Sequence, residues 1–448
     1  MAEAKPLISR DTTQTIYAIA TGAGKAAVAI IRVSGAACAS ILALVCPGVR
    51  FVDRIATFAT VRGLNGDVLD HSIVIRFHSP RSFTGEDVVE FQVTGSRAVL
   101  AELIRTIASV PGTRPAEPGE FARRAFLSGR RDLAEIEGLA SLIDAETSAQ
   151  LRHAIRMASG ELSRRCEHVR ALILQSMSIV ESMLDFSDVE DSSEFTRKSL
   201  TAPLTEALDQ LERLLDHEGV SERLRDGMTI VIAGPPNAGK STLMNALARR
   251  DVSIVSESPG TTRDALEVNT EISGFPVMFV DTAGIRDSDD PVEAEGIARA
   301  RKRSAGADMT LWLRSVTAVD EEVVASAGSL LQVITKIDLQ PKTSIAPGVV
   351  AISAKTGVGM AELIARIDEL AQNHFAGAGA AIFGTERQRG AARDAEVALR
   401  RILAASDLGL EIVAEELRFA AAAMGRITGR IEVEEILGEI FSRLCVGK

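Results

Sequence analysis

The chain has 448 residues and a formal net charge of −11 at pH 7, with 46% hydrophobic and 25% charged residues. This length predicts roughly three domains, and the composition is ordinary for a soluble globular protein. The negative charge argues against a protein that coats nucleic acid nonspecifically, because a polyanionic ligand would be repelled at long range.

Neither a membrane segment nor a targeting segment is predicted. No apolar run reaches the ~20 residues that a membrane-spanning helix requires, and the polar stretch 1–10 lacks a signal-peptide pattern. We therefore expect a cytoplasmic protein without membrane contact. The cysteines lack metal-site spacing and are predicted to be reduced thiols; they are Cys38, Cys46, Cys166 and Cys445.

The first part of the chain has the pattern of an α/β or α+β domain. A helix is predicted near 97–109, and β-rich apolar runs alternate with turns before it. These runs lie at 16–20, 27–33, 73–77 and 88–93.

The string Thr21-Gly22-Ala23-Gly24-Lys25 looks at first like a phosphate-binding loop. Its first glycine would fall at Ile19, however, and Ala26 stands where Ser or Thr is needed. We interpret the string as a turn that precedes a strand.

Arginines are concentrated between positions 97 and 131. Two interpretations remain open from the sequence, namely a solvated face with paired charges or a site for phosphate or carboxylate groups. The arginines are Arg97, Arg105, Arg114, Arg123, Arg124, Arg130 and Arg131.

Two stretches with long helical periodicity flank a central α/β segment. They run from 134 to 217, with an acidic break at 189–193, and from 386 to 441. Because each looks too long to stand alone, we predict that the central segment is inserted into one discontinuous helical domain, with a Gly-rich hinge at 376–381. The predicted domains are 1–125, 126–225 for the first helical part, 226–376 for the central segment and 377–448 for the second helical part.

The central segment contains a complete phosphate-binding loop (P-loop), Gly234-Pro235-Pro236-Asn237-Ala238-Gly239-Lys240-Ser241. The loop follows a strand-like run at 228–233 and opens a helix at Thr242, a further nucleotide contact. Glycines let backbone N–H groups turn onto phosphate oxygens, and Lys240 can reach the outer phosphates. Ser241 can ligate Mg²⁺ at a helix N-terminus that favours anions. The chain is therefore predicted to handle a nucleoside triphosphate.

Two strings downstream supply further phosphate and metal contacts. Pro259-Gly260-Thr261-Thr262-Arg263-Asp264 contains a switch-like threonine pair, of which Thr262 is assigned to Mg²⁺. A strand at 275–280 delivers Asp281-Thr282-Ala283-Gly284 to the phosphate side of the sheet. There Asp281 can hold the Mg²⁺ shell, and Gly284 can sense the terminal phosphate.

The base is predicted to be guanine. After a strand at 331–334 comes Thr335-Lys336-Ile337-Asp338, in which Asp338 can accept hydrogen bonds from guanine's ring N–H and exocyclic amine while the Lys336 stem covers the purine face. Ser353-Ala354-Lys355, after the apolar run 349–352, suits a backbone N–H to the guanine carbonyl. GTPases usually have Asn where Thr335 stands. We therefore expect the loop that begins at Thr335 to be held less tightly to the P-loop than it is in those proteins. Five such strings in order indicate a GTPase.

Five further sequence motifs lie outside the nucleotide motifs. Together with the GTPase motifs they resemble those of the MnmE (TrmE) family of tRNA modification GTPases, and the resemblance extends from about Tyr17 to Lys448. The five motifs are Arg32-Val33-Ser34-Gly35, Ser82-Phe83-Thr84-Gly85-Glu86-Asp87, Phe126-Leu127-Ser128-Gly129-Arg130, Leu184-Asp185-Phe186 and Cys445-Val446-Gly447-Lys448. The resemblance implies a multidomain α/β plus all-α fold, with an N-terminal α/β folate-binding domain, a discontinuous helical domain and an inserted Ras-like P-loop G domain. It also implies a homodimer that works with the flavoprotein MnmG, as a heterotetramer, to add a carboxymethylaminomethyl substituent at C5 of the wobble uridine of certain tRNAs.

The same resemblance assigns 5-formyltetrahydrofolate, or a related reduced folate, to Arg32, Glu90 and Arg130. A carboxylate can bind the pterin's donor edge, and arginines can meet the acidic tail. From the residues alone, each of the three is equally a charge on a strand face or in a loop. Arg130 stands where some family members have Lys.

Hydrolysis poses a specific problem, because Ile285 stands where Ras-like enzymes have a water-orienting Gln. The loop 287–295 offers several carboxylates, and their chemistry does not choose among them. The resemblance selects Glu293 to orient water, and it implies that K⁺ takes the role of an arginine finger when two G domains pair. Hard oxygen ligands suit this ion. Asn237, Ser256, Ser258 and Thr261 would hold K⁺, and the same loop would contact nucleotide through Glu257, Pro259 and Gly260.

Cys445 has two interpretations. A lone cysteine is more often a buried packing residue, but the nearby Lys448 would favour a reactive thiolate. The resemblance favours a role in tRNA modification.

Two classes of function remain. The first is a GTPase enzyme whose hydrolysis cycle drives tRNA modification with MnmG. The second is a GTP-switched binding protein, such as a ribosome-assembly factor, whose N-terminal domain is only a docking surface. Folate binding distinguishes them, because only the first class needs a reduced folate.

Overall fold

The computed structural model describes most of the chain, and the described residues form two compact units. The first unit comprises residues 1–140, 162–207 and 391–448, and the second comprises residues 141–161 and 208–390. The described positions are 14–22, 24–185, 193–249, 267–281, 306–317, 328–340, 345–404, 408–430, 441, 444 and 447.

A six-stranded sheet organises the first unit. Its strands are β1 (Thr15–Ile19), β2 (Ala26–Ser34), β3 (Thr57–Arg62), β4 (Val68–Phe77), β5 (Val88–Gly95) and β6 (Thr113–Pro115). They lie in the order β3-β4-β5-β2-β1-β6, and neighbouring strands are antiparallel except for the parallel pair β1 and β6. Strand β2 begins directly after the string 21–25, as predicted, and Ala23 within that string lies outside the described residues.

Two helices pack against one face of this sheet, α1 (Cys38–Val45) and α2 (Arg97–Ala108). Val89 and Phe91 of β5 are fully buried in the shared core together with Leu103 of α2. Because side chains alternate along a strand, the residues between them face the other side of the sheet. The predicted N-terminal α/β fold is confirmed.

The remaining helices of the described residues lie partly within the predicted helical stretches 134–217 and 386–441 and partly outside them, at Glu120–Leu127, Glu218–Asp226, Lys240–Arg249 and Met360–His374. They are α3 (Glu120–Leu127), α4 (Leu133–Asp144), α5 (Ser148–Ala158), α6 (Glu161–Asp185), α7 (Ser193–Leu215), α8 (Glu218–Asp226), α9 (Lys240–Arg249), α10 (Met360–His374), α11 (Glu386–Ala404) and α12 (Leu410–Thr428). Positions 189–192 of the predicted acidic break and positions 431–440 lie outside the described residues. Within the described ranges, none of the helices has the length and apolar character needed to cross a bilayer.

A second six-stranded sheet organises the second unit. Its strands are β7 (Met228–Ala233), β8 (Glu267–Ile272), β9 (Phe275–Asp281), β10 (Met309–Ser315), β11 (Ser329–Thr335) and β12 (Val350–Ala351). They lie in the order β12-β11-β10-β7-β9-β8, and every neighbouring pair is parallel except β8 and β9. The carboxyl ends of the parallel strands therefore share one edge of the sheet, where open α/β folds bind ligands.

Helix α5 is anchored to the turn between β8 and β9 within this unit. The Ala149 N–H donates to the carbonyl oxygen of Gly274 at 2.9 Å, and the Ser148 hydroxyl donates to Glu271 Oε1 at 2.8 Å. Gly274 has a φ of +90°, and a Cβ there would come within 2.8 Å of the Ser148 hydroxyl oxygen. A glycine at this turn therefore permits the close approach of the helix.

Candidate functional site

The P-loop joins β7 to α9 in the predicted strand–loop–helix arrangement. Gly234 adopts a φ of +143°, and a Cβ there would clash with the carbonyl oxygen of Leu313. Asn237 and Gly239 also have positive φ values, +63° and +94°. This backbone is the kind that turns successive N–H groups into a concave anion site.

Lys240 lies at the start of α9 and is only 9% exposed. Its ammonium donates to the carbonyl oxygens of Gly234 at 2.7 Å and Pro235 at 3.0 Å. The charged end of the side chain is therefore folded over the P-loop, where a bound phosphate would replace the two carbonyl oxygens as its partner.

Ser241 and Asp281 are brought together although they are 40 residues apart. The Ser241 hydroxyl donates to Asp281 Oδ2 at 3.2 Å, and Asp281 is 4% exposed at the end of β9. Mg²⁺ prefers hard oxygen ligands, often one or two carboxylates with phosphate oxygens. This pair at the mouth of the P-loop fits a Mg²⁺ that accompanies a nucleotide.

The loop after β11 is bonded directly to the P-loop. The Thr335 hydroxyl donates to the carbonyl oxygen of Ala238 at 2.6 Å, and the Lys336 ammonium donates to that of Asn237 at 2.7 Å. The predicted looser tie at Thr335 is therefore wrong, because β11 ends close enough to the P-loop for a short hydroxyl to reach it. Asp338 lies in a short turn, Ile337–Leu339, with an exposed side chain.

The string Ser353-Ala354-Lys355 lies beside this turn. The Ile337 N–H donates to the carbonyl oxygen of Ile352 at 3.3 Å, which holds the two loops together. Ser353 is buried, and its own N–H donates to Val358 at 2.9 Å. The described parts of the predicted guanine site therefore meet at the carboxyl edge of the second sheet.

Several predicted site residues lie outside the described residues, and their roles stay predictions. They are Ser256, Glu257, Ser258, Pro259, Gly260, Thr261, Thr262, Thr282, Ala283, Gly284, Glu293 and Cys445.

A second polar cluster lies on the first sheet, on the face opposite α1 and α2. Arg32 and Glu90 are direct partners on β2 and β5, and Arg32 Nε donates to Glu90 Oε1 at 2.9 Å. The Arg32 guanidinium carbon lies 5.7 Å from the centre of the Phe83 ring and 5.8 Å from that of Phe121. Arg32 Nη1 also donates to the carbonyl oxygen of Gly447 at 3.2 Å.

Arg130 borders the same cluster. It is exposed, and its Cγ would lie 3.2 Å from a Cβ built on Gly85, which belongs to the loop 82–87 that also carries Phe83. The Ser128 hydroxyl donates to the carbonyl oxygen of Thr84 at 2.7 Å and holds this segment to the loop. The structure thus places all three predicted folate contacts around the loop 82–87.

The sequence did not identify the charged network behind this loop. Arg124 is 4% exposed and bonds to Glu86 at 3.0 Å, to Glu120 at 3.1 Å and to the carbonyl oxygen of Gln14 at 2.8 Å. Burial tends to raise the pKa of Glu120, but hydrogen bonds and charge from Arg114 and Arg124 lower it overall. The only available signal was the i,i+4 spacing of Glu120 and Arg124.

Four of the concentrated arginines support the interpretation of paired charges. Arg105 pairs with Glu102, Arg114 with Glu120, and Arg131 with Glu135, as expected for paired charges. Arg124 is also paired, and it is a buried residue that connects Glu86 to Glu120.

Three of the cysteines are free, as predicted, and the structure shows that they are also buried. They are Cys38, Cys46 and Cys166. Burial raises the pKa of Cys38 to about 12 and that of Cys46 to about 11, so neither forms a thiolate at neutral pH.

Two family models match the chain. The MnmE helical domain matches residues 133–445, and the N-terminus of the GTP-binding protein TrmE matches residues 15–130.

Curated relatives match along their whole length. The tRNA modification GTPase MnmE of Rhodopseudomonas palustris (strain ATCC BAA-98 / CGA009) is 45% identical over 439 residues, covering 97% of this chain and 99% of the relative. The MnmE proteins of Beijerinckia indica and Rhizobium meliloti are both 44% identical, covering 100% and 98% of this chain and 99% and 100% of the relatives. Among solved structures, the G domain of the T. maritima FeoB iron transporter is 24% identical, and the match covers 32% of this chain and 99% of the FeoB chain. Its TM-score of 0.23 is too low for a fold comparison. The family models and the full-length relatives establish that the chain belongs to the MnmE (TrmE) family of tRNA modification GTPases.

Proposed function

We propose that this GTPase works with MnmG and a reduced folate to add a carboxymethylaminomethyl substituent at C5 of the wobble uridine of certain tRNAs. Membership of the family supports the tRNA-modification part of the proposal, and the meeting of Lys240, the Ser241–Asp281 pair and the Thr335–Asp338 loop at one edge of the second sheet supports the GTPase part. A substrate of this kind is consistent with the cytoplasmic location expected from the sequence.

The P-loop residues divide the work of binding GTP. N–H groups of 237–242 would surround the phosphates, with the Lys240 ammonium leaving its two backbone carbonyls for phosphate oxygens. Ser241 and Asp281 would hold Mg²⁺, which neutralises charge on the transferring phosphate. Asp338 would accept from guanine's donors, and the N–H groups of Ala354 and Lys355 would meet its carbonyl, since the Ser353 N–H is engaged by Val358.

A reconstituted reaction tests the proposed function. Purified chain, MnmG, reduced folate and GTP are incubated with unmodified tRNA, and the wobble uridine is analysed by mass spectrometry. We expect modified uridine only when all components are present. If modification proceeds equally well without the chain, the alternative of a GTP-switched binding protein is favoured.

We propose that hydrolysis uses Glu293 to orient water and K⁺ to supply positive charge, with Asn237 as one K⁺ ligand. Asn237 supports this role because its side chain is exposed while its φ of +63° fixes the loop. Oxygens at Ser256, Ser258 and Thr261 are the other proposed ligands.

We expect phosphate release to be faster in K⁺ than in Na⁺ by roughly tenfold or more, because a positive charge in this role is worth at least that in other GTPases. The rate should also rise with protein concentration as G domains pair. The Glu293→Ala variant should bind GTP normally but hydrolyse it slowly. Equal rates in the two salts would show that K⁺ does not replace an arginine finger.

We propose that the cluster around Arg32 binds the reduced folate. Glu90 would accept from the pterin's donors, while Arg32 and Arg130 would meet the ligand's acidic groups. The rings of Phe83 and Phe121 support this assignment, because they offer flat apolar surfaces beside Arg32.

Isothermal titration calorimetry with 5-formyltetrahydrofolate tests this site. Arg32→Ala should weaken binding by roughly tenfold to a hundredfold, since a hydrogen bond to a charged group contributes about 1.5–3 kcal/mol. Arg105→Ala is the matched control, because Arg105 is exposed on α2 and pairs with Glu102. If Arg32→Ala binds 5-formyltetrahydrofolate as tightly as the wild-type chain, the folate site lies elsewhere. If the wild-type chain does not bind it, the alternative of an N-terminal docking surface is favoured.

We propose a homodimer formed through the first unit, joined by MnmG in a heterotetramer. Exposed apolar side chains on β3 and β4 support an interface there. Phe58 is 72% exposed and Ile73 is 40% exposed, and the two are direct cross-strand partners. Sedimentation of the wild-type chain and of Phe58→Glu tests this interface, which the variant should weaken.

We also propose that Cys445 acts in tRNA modification. Gly447, two residues after Cys445, accepts a hydrogen bond from Arg32 of the proposed folate site, and Leu444 packs against the cluster of Ala122, Ile136 and Phe441. Cys445→Ser should keep GTP hydrolysis and lose wobble-uridine modification, because a hydroxyl is a far poorer nucleophile at neutral pH.

A further inference from the structure

The backbone of Gly447 is packed against the end of β1. The residue is buried with a φ of +98°, and a Cβ there would lie 2.6 Å from the carbonyl oxygen of Ile19 and 2.9 Å from the Cα atom of Ala20. Both obstacles are main-chain atoms, and the Ala20 N–H donates to the carbonyl oxygen of Ile30 on β2 at 2.8 Å. Because the sheet holds these atoms in place, glycine is the residue that has both the conformation and the size for this position.

The carbonyl group of Gly447 reaches the proposed folate site. Its oxygen accepts a hydrogen bond from Arg32 Nη1 at 3.2 Å. Ala18, the residue before Ile19, is the direct cross-strand partner of Arg32. Gly447 therefore fills the corner between the end of β1 and the Arg32 guanidinium, and we call this arrangement the Gly447 contact.

The Arg32 guanidinium still has donors for a ligand. Of its five N–H groups, Nε donates to Glu90 Oε1 at 2.9 Å, Nη2 lies 2.9 Å from the same oxygen, and Nη1 donates to Gly447. These contacts use three N–H groups, which leaves two without a partner among the residues that the structure describes. A carboxylate of a ligand can accept from these two while Glu90 and Gly447 keep their bonds, so the ligand does not have to displace Gly447.

We infer that Gly447 is a positioning residue for the proposed folate site, and that folate and the Gly447 contact stabilise each other. With the contact formed, Arg32 is held by Glu90, by the rings of Phe83 and Phe121 and by a carbonyl oxygen, so its remaining N–H groups are oriented before the ligand arrives. The inference rests on the proposed folate site and deepens it. Because coupling between two events is reciprocal, each strengthens the other by the same factor.

The first measurement is the removal of Lys448 from the purified 448-residue chain by carboxypeptidase B, followed by mass spectrometry. The peptidase has to bind the backbone at Gly447, which is buried, so cleavage requires the Gly447 contact to open. Gly447→Ala should speed the removal by roughly tenfold or more, because a side chain in the left-handed region is disfavoured by about that factor even without a clash. An unchanged rate would overturn the inference.

The second measurement is the coupling to 5-formyltetrahydrofolate. A saturating concentration should slow the removal of Lys448 from the wild-type chain by roughly threefold to tenfold, the effect of about one hydrogen bond. In calorimetry, Gly447→Ala should bind the ligand more weakly by the same factor. Faster removal with ligand present, tighter binding by the variant, or no effect in either assay would overturn the coupling alone. Failure of the wild-type chain to bind the ligand would overturn the coupling together with the proposed folate site.

Gly48→Ala is the matched control. Gly48 belongs to the same unit and has a φ of +78°, but a Cβ there would have no neighbour within 4 Å. The variant therefore carries a similar backbone strain without disturbing the Gly447 contact, and its Lys448 removal and folate affinity should equal those of the wild-type chain. Thermal unfolding checks that both variants are folded. If Gly48→Ala changes both measurements as Gly447→Ala does, the effect is general destabilisation and the positioning role is overturned.

Discussion

The Lys240→Ala variant is expected to lose nearly all affinity for GTP and, with it, GTP hydrolysis. The Lys240 ammonium already lies over the P-loop, bonded to Gly234 and Pro235, and is the cation that phosphate oxygens meet there. Hydrogen bonds to charged groups contribute about 1.5–3 kcal/mol each, so two lost contacts lower affinity by roughly a hundredfold to ten-thousandfold. Calorimetry with GTP and a phosphate-release assay measure the two losses.

Lys25→Ala is the matched control for this variant. Lys25 ends the string 21–25, which has the look of a P-loop but leads into β2 instead of a helix. The Lys25→Ala variant should bind and hydrolyse GTP like the wild-type chain. If Lys240→Ala retains GTP affinity while Lys25→Ala loses it, the nucleotide site has been assigned to the wrong unit.

The Asp338→Asn variant is expected to exchange GTP for xanthosine triphosphate. Xanthine carries a carbonyl in place of the guanine exocyclic amine, so an amide at position 338 can donate where the carboxylate had accepted. Guanine's donors would then be badly paired, which costs about 1–3 kcal/mol, or roughly fivefold to a hundredfold in affinity. Competition between the two nucleotides for a fluorescent guanine nucleotide measures the exchange.

Asp368→Asn removes a carboxylate from the same unit without touching the proposed site. Asp368 lies on α10 and accepts from Gln372 on that helix. The Asp368→Asn variant should prefer GTP over xanthosine triphosphate to the same extent as the wild-type chain. Equal GTP binding by Asp338→Asn would place the base-reading residue elsewhere, whatever the control does.

Local patterns were sufficient to predict the strands, helices and P-loop of the nucleotide site. The run Met228–Ala233 is apolar and short, the next six residues are rich in Gly and Pro, and Lys240 opens a helix, so each step depends on neighbours in sequence. The order of the motifs also predicted that Ser241, Asp281 and Asp338 serve one site, because parallel strands end at the same edge of a sheet. Resemblance to a family supplied the folate and potassium assignments, which no local pattern contained.

Only the tertiary structure decided how these residues meet. Arg32 and Glu90 are 58 positions apart, and their pairing follows from the register of β2 against β5, which a shift of one residue would break. The bond from Thr335 to Ala238 spans 97 positions, and it overturned the looser tie expected from a missing Asn. A hydrogen bond depends on the distance between two atoms to within a few tenths of an ångström. Residue type and order along the chain determine which groups are available, whereas the packing of the sheets determines those distances.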